Sequence, residues 1–77
     1  MPLNVVIKKL DGSKLNLSVD EKETIVDVKK TLAEKAGLDF NQLRLIHKGK
    51  PLADNLTITE AKIAANDMLH LILQLRA

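Results

Sequence analysis

The chain contains no cysteine, no tryptophan and no tyrosine, and Phe40 is its only aromatic residue. Without cysteine there is no disulfide framework and no thiolate chemistry, a composition suited to a reducing compartment such as the cytoplasm or nucleus. Without aromatic platforms, stacking on single-stranded bases is a poor fit. An excess of one charge is missing too. Twelve basic residues face 10 acidic ones, leaving +2 spread along the chain, which predicts solubility and no nucleic-acid partner. No apolar run approaches a membrane span, and the opening MPLNVVIKKLDG holds no signal-peptide core, so no membrane association is expected. The three glycines stand singly, which leaves no phosphate-cradling loop.

What is present is aliphatic. Seventy-seven residues make a single domain, 1–77, near the small end of what one core supports, and its Leu, Ile and Val must be largely buried to suffice. Leu3, Val5 and Ile7 alternate, as do Leu15, Leu17 and Val19, and Asp11-Gly12 between them is a hairpin signal. Leu10, outside the parity of the first run, is expected to face solvent from the hairpin tip.

The period then changes. Ile25, Val28 and Leu32 fall at helical spacing and Ala36 continues the stripe, which predicts a helix over 25–36. Thr24 fits the N-cap, Asp27 completes a capping box, and Gly37 fits the left-handed position that ends the helix. A short strand at 43–47, a Lys48-Gly49 turn and a stub at 50–52 follow, with Pro51 confining the stub to an edge. Ile58 and Ile63 are expected to anchor a loop with a helical turn beneath the sheet. In the last strand, 68–75, Leu69, Leu71, Leu73 and Leu75 show one face to the core, while Met68, His70, Ile72 and Gln74 occupy the other. A hairpin followed by a crossing helix lets that strand return parallel to the first.

These residues carry a resemblance. The chain is similar to ubiquitin and its relatives without a gap from Leu3 to Arg76. The matching stretches are Thr24-Ile25, Val28-Lys29, Lys35, Gly37, Arg44-Leu45-Ile46, Gly49-Lys50, Leu52, and the Leu69-His70-Leu71 run through Leu73 to Arg76. The resemblance implies an α+β, ubiquitin-like β-grasp fold: a mixed sheet of four to five strands wrapped around one helix. That agrees with the element order above.

It also implies a site. The positions of Leu10, Ile46, Gly49, His70 and Ile72 match those that family members use to bind partner domains. Parity turns Ile46 outward if Leu45 faces in, and turns His70 and Ile72 outward on the last strand. Single exposed aliphatics are ordinary, but Leu10, Ile46 and Ile72 with a histidine at a family contact surface favour function. Their desolvation offers ~4–6 kcal/mol before the cost of association, which predicts binding on the order of micromolar to near-millimolar. An amphipathic helix or small helical bundle suits such a surface. With His47 the only other histidine and no cysteine, a metal site is not expected, and no cofactor is. Lys50 matches a chain-acceptor lysine of the family. Lys8, Lys29 and Lys35 match further lysine positions and are expected to solvate the surface, and Ala65 stands where another acceptor lysine occurs.

The chain departs from the family most at its end. Leu75-Arg76-Ala77 has alanine where the resemblance places the first of two glycines needed for activation, and Gln74 replaces an arginine implicated in recognition by the activating enzyme. His47 and Lys48 replace residues beside the patch and are expected to make its rim more basic. Leu43 replaces a polar residue and is expected to enlarge the core. Asp39-Phe40 replaces a proline pair, with Phe40 expected at the surface near the end of the helix.

Ser13 and Ser18 lack a base, and the carboxylates are scattered, so no enzyme is expected. The leading expectation is a monomeric, non-catalytic interaction domain, the N-terminal module of a longer protein in the ubiquitin–proteasome pathway. Its expected partners are ubiquitin-binding domains or proteasomal receptor subunits. The alternative is a modifier conjugated through a C-terminal glycine that this sequence lacks.

Overall fold

A computed structural model describes residues 2–74. Its elements in chain order are β1 (Pro2–Lys8), β2 (Lys14–Asp20), α1 (Ile25–Ala36), a 3-10 turn (Phe40–Gln42), β3 (Leu43–His47), β4 (Lys50–Pro51) and β5 (Met68–Leu73). The strands form one sheet in the order β2-β1-β5-β3-β4. β1 is antiparallel to β2 and parallel to β5, and β3 is antiparallel to both β5 and β4. This is the β-grasp arrangement, with α1 as the crossover that allows the parallel pair.

Alternation in the sequence becomes burial on one side of the sheet. Val5, Ile7, Leu17, Val19, Leu43, Leu45, Leu69 and Leu71 are all buried, and Ile25, Val28 and Leu32 of α1 pack onto them. Leu43 does enlarge this core. The hairpin is broader than a two-residue turn, because the ladder closes at Lys8 and Lys14 and residues 9–13 loop between them. Asp11 Oδ1 accepts both the amide and the hydroxyl of Ser13, at 2.9 and 2.6 Å, while Gly12 takes φ 87°.

The helix caps form as the spacing predicts. The Asp27 amide donates to Thr24 Oγ1, the Thr24 amide donates to Asp27 Oδ2, and Gly37 ends the helix at φ 67°. The first-turn amides of Ile25 and Val26 donate to the carbonyls of Leu56 and Asp54, so the loop after β4 completes the helix start. Ile58 and Ile63 are buried beneath the sheet. Between them the Ala61 amide reaches the Thr57 carbonyl, and Thr57 and Glu60 bond reciprocally, giving a single turn. β4 is shorter than expected, although the Leu52 amide still donates to Leu45 and its side chain is buried. β5 ends at Leu73, and the expectation for Leu75 lies outside the described residues.

Candidate functional site

The pairing of β3 with β5 builds the outer face. Ile46 stands opposite His70, and Arg44 opposite Ile72, while Leu45 and Leu71 meet on the core side. Directly opposed side chains lie about 5 Å apart and share a face. Ile46 is half-buried, His70 is exposed, and Ile72 is 42% exposed, which is high for an isoleucine on a strand. These residues are brought together by register alone. Gly49 closes the β3–β4 turn at φ 80°, a conformation that side-chain-bearing residues avoid, and Lys48 before it also has positive φ. Lys50, next in line, is exposed on the edge strand.

Leu10 is placed differently. It is 59% exposed at the hairpin tip, beyond the paired part of β1. It borders a shallow depression of about 250 Å³ whose other walls include Ala36, Leu38 and Leu71. The exposure expected of it is there, but no strand register carries it onto the face shared by Ile46, His70 and Ile72. Conversely, Met68 and Val6 lie outside the set expected from the sequence and do share that face. They pair directly across the β1–β5 junction, and Met68 is 36% exposed. The parity that turns His70 outward also turns Met68 outward, so the signal was present.

Two expectations are corrected. His47 is not part of a basic rim. It shares the parity of Leu43 and Leu45 and points inward, 6% exposed, with Nε2 at 2.9 Å from Asp67 Oδ2. The Ala64 amide donates to the same oxygen, and this bond, followed by the contact with His47, holds the Asp67 carboxyl below its ordinary range. Lys29 does not solvate a surface either. It lies four residues after Ile25 on the buried side of α1, its Nζ 2.7 Å from Asp54 Oδ1 and 5.3 Å from the centre of the half-buried Phe40 ring. Lys29 is therefore sequestered, unlike the exposed Lys35 and Lys50.

At the rim, Arg44 Nε donates to Gln74 Oε1, and the Gln74 amide donates to the Gln42 carbonyl at 2.7 Å. Gln74 thus fixes a cation beside Ile72. Among the described residues no three His, Cys, Asp or Glu side chains are grouped to hold a metal. The chemistry available on this face is apolar contact framed by cations.

Comparison with known proteins bears on what such a face does. The chain matches the sequence profile described as Ubiquitin family over residues 5–76. It is 38% identical over 72 residues to the NEDD8-like protein RUB1 of Saccharomyces cerevisiae, covering 94% of each chain. It is 33% identical to the ubiquitin-like protein NEDD8 of Dictyostelium discoideum, again over 94% of each. The ubiquitin-like protein 4A of Oryctolagus cuniculus is 33% identical over 94% of this chain, which spans 46% of that longer protein.

Proposed function

Since the chain belongs to the ubiquitin family, we propose that it is a non-catalytic interaction domain that docks on ubiquitin-binding domains or proteasomal receptor subunits. The observation that carries this reading is the register of β3 on β5, which gathers Ile46, His70 and Ile72 on one exposed face. Docking is by presentation. The sheet holds the side chains in place before the partner arrives, so little ordering entropy opposes binding. A few aliphatic groups limit the affinity to roughly the micromolar to near-millimolar range. The test is a titration of isotope-labelled protein with a helical ubiquitin-binding module. Shifts are expected at the amides of Ile46, His70 and Ile72. Unchanged signals there under saturating partner would remove this reading.

The near full-length likeness to RUB1 favours a second reading, a ubiquitin-like modifier conjugated through a C-terminal glycine. In that reading the same face would serve readers of the conjugate, and Lys50, exposed on β4, would be an acceptor for chain growth. Incubating the native full-length chain with activating enzyme and ATP separates the two, because only a modifier forms a thioester.

A further inference from the structure

We propose that two copies of the chain pair through the open edge of β2, antiparallel about a two-fold axis at Leu17, so that Lys14 of each copy faces Asp20 of the other. The proposal goes beyond the docking reading and does not rest on it. β2 lies at one end of the sheet, and among the described residues no strand flanks its far side. The opposite edge is β4, two residues long and blocked by Pro51. β2 has seven residues, holds no proline, and pairs with β1 in one unbroken register. Its free backbone groups follow from that register. The Lys9 amide donates to the Ser13 carbonyl, so the antiparallel alternation gives the bonds between β1 and β2 to the pairs Ile7–Leu15, Val5–Leu17 and Leu3–Val19. The amides and carbonyls of Lys14, Asn16 and Ser18 then point away from β1. Val6 and Asn4, opposite Asn16 and Ser18, agree. The Val6 amide donates to the Asp67 carbonyl and the Asn4 carbonyl accepts the Asn66 amide, both on the side away from β2. A long edge of unpaired backbone groups is a template for another strand.

Charge and side-chain pattern select a second copy as that strand. A two-fold axis at Leu17 sets Asn16 opposite the second copy's Ser18, and Ser18 opposite the second copy's Asn16. Outward groups meet outward groups, and each pair exchanges amide-to-carbonyl bonds. The same register places Lys14 against the second copy's Asp20 at both ends, a match that a shift of two residues either way loses. On the core side Leu17 meets its own counterpart and Leu15 meets Val19. Lys14 is poorly matched within its own chain. It stands directly opposite Lys8, and neither meets a carboxylate among the described residues. Asp20 gives Oδ1 to the Lys22 amide and keeps Oδ2 free. The two sheets continue into one, and Ile46, His70 and Ile72 of both copies stay open on the same side. Few groups meet, so the dimer is weak, with a dissociation constant on the order of 0.1–1 mM. It departs from the monomer that the sequence predicts.

The test is sedimentation equilibrium, with amide spectra of the isotope-labelled native chain, from about 20 μM to about 2 mM. The Asn16 and Ser18 amides are expected to shift with concentration. Ser18→Pro removes an outward amide and leaves the ladder to β1 intact, so it should abolish association in a chain that is still folded. Lys14→Asp and Asp20→Lys each set like charges together at both ends of the pairing, and each should weaken self-association about tenfold or more. Mixed, the two variants should associate as the parent does, because each supplies the charge the other lacks. That recovery also shows both to be folded. Parent spectra that stay constant over the whole range overturn the proposal, and so does association that survives Ser18→Pro. Charge variants that self-associate like the parent, or that fail to recover on mixing, overturn the register at Leu17. Shifts confined to Ile46, His70 and Ile72 overturn it in favour of pairing through the outer face. If a synthetic peptide of alternating valine and threonine moves the Asn16 and Ser18 amides while concentration does not, the edge takes a foreign strand and self-pairing falls.

Discussion

His47 Nε2 lies 2.9 Å from Asp67 Oδ2, directly beneath a face on which their chain neighbours Ile46 and Met68 point outward. A polar pair on the core side thus ties β3 to the segment entering β5, and the patch residues are held from behind. The Asp67 backbone joins in, since its carbonyl accepts the Val6 amide at 2.9 Å.

That pairing has a pH signature. The Asp67 carboxyl is lowered from 3.8 by the Ala64 amide and then by His47, and the Asp11 carboxyl is lowered by the Ser13 hydroxyl and amide. A carboxyl with a depressed folded value contributes stability that is complete above its unfolded value. The contribution is lost as pH falls through the folded value. Stability should therefore decline below pH 3.8, and Asp67→Asn should flatten that decline by removing one titrating group. Urea midpoints measured from about pH 5 down to about pH 2 check this. An acid limb of unchanged steepness in Asp67→Asn would show that the group is not coupled to folding.

Lys29 and Asp54 form an ion pair of unequal burial, with side chains 10% and 55% exposed. Removing the lysine leaves a carboxylate that water already reaches. Removing the aspartate leaves an ammonium under the fold with its carboxylate gone and only the Phe40 ring beside it. Lys29→Met, which keeps the stem, is expected to change stability by less than about 1 kcal/mol, and Asp54→Ala to cost about 1–3 kcal/mol. Denaturant unfolding measures both. Under limiting acetylation followed by mass spectrometry, Lys50 should react early and Lys29 last.

The helix start gives a third expectation. Thr24 Oγ1 accepts the Asp27 amide and the Thr24 hydroxyl donates to Asp27 Oδ2; both bonds are lost in Thr24→Ala, at about 1 kcal/mol, while the Thr24 backbone amide keeps its own bond to Asp27 Oδ2. Gly37→Ala should cost a similar amount, because φ 67° strains any residue with a Cβ. Both effects appear as shifts in the thermal midpoint, and neither should alter binding at the outer face.

Most of this fold is legible in the sequence, because one rule governs each element. Alternation gave the strands their inner face, helical spacing gave α1, and the Thr24–Asp27 and Gly37 signals gave its ends. What was harder to read lay where two rules met. By the resemblance His47 falls beside the patch and reads as a basic rim residue, although its place two residues after Leu45 turns it inward. Lys29 reads as a surface lysine by type and as a core residue by its spacing from Ile25 and Val28. Asp54 and Asp67, the partners that make each burial tolerable, come from distant parts of the chain. No local pattern announces them. The site is legible to the same degree. Parity places Ile46, His70 and Ile72, but only the register of β1 on β5 brings Val6 beside Met68, and no strand register places Leu10 at the broad hairpin tip.

Leu71 and Ile72 are adjacent in sequence and opposite in consequence. Leu71 is 2% exposed against Leu45, and Ile72 is 42% exposed beside Arg44. Leu71→Ser opens a cavity and buries a hydroxyl, and is expected to cost about 3–5 kcal/mol, a large part of what holds a domain of this size. Ile72→Ser removes apolar surface that water already touches and should cost no more than about 1 kcal/mol, mainly in strand propensity. Binding should show the reverse contrast. The folded fraction of Leu71→Ser keeps its outer face and its intrinsic affinity, whereas Ile72→Ser should weaken a helical partner about tenfold while remaining fully folded. Thermal unfolding and partner titration on the same two samples measure both quantities. If Ile72→Ser were both destabilised and unchanged in affinity, that side chain would be serving the sheet and not a partner.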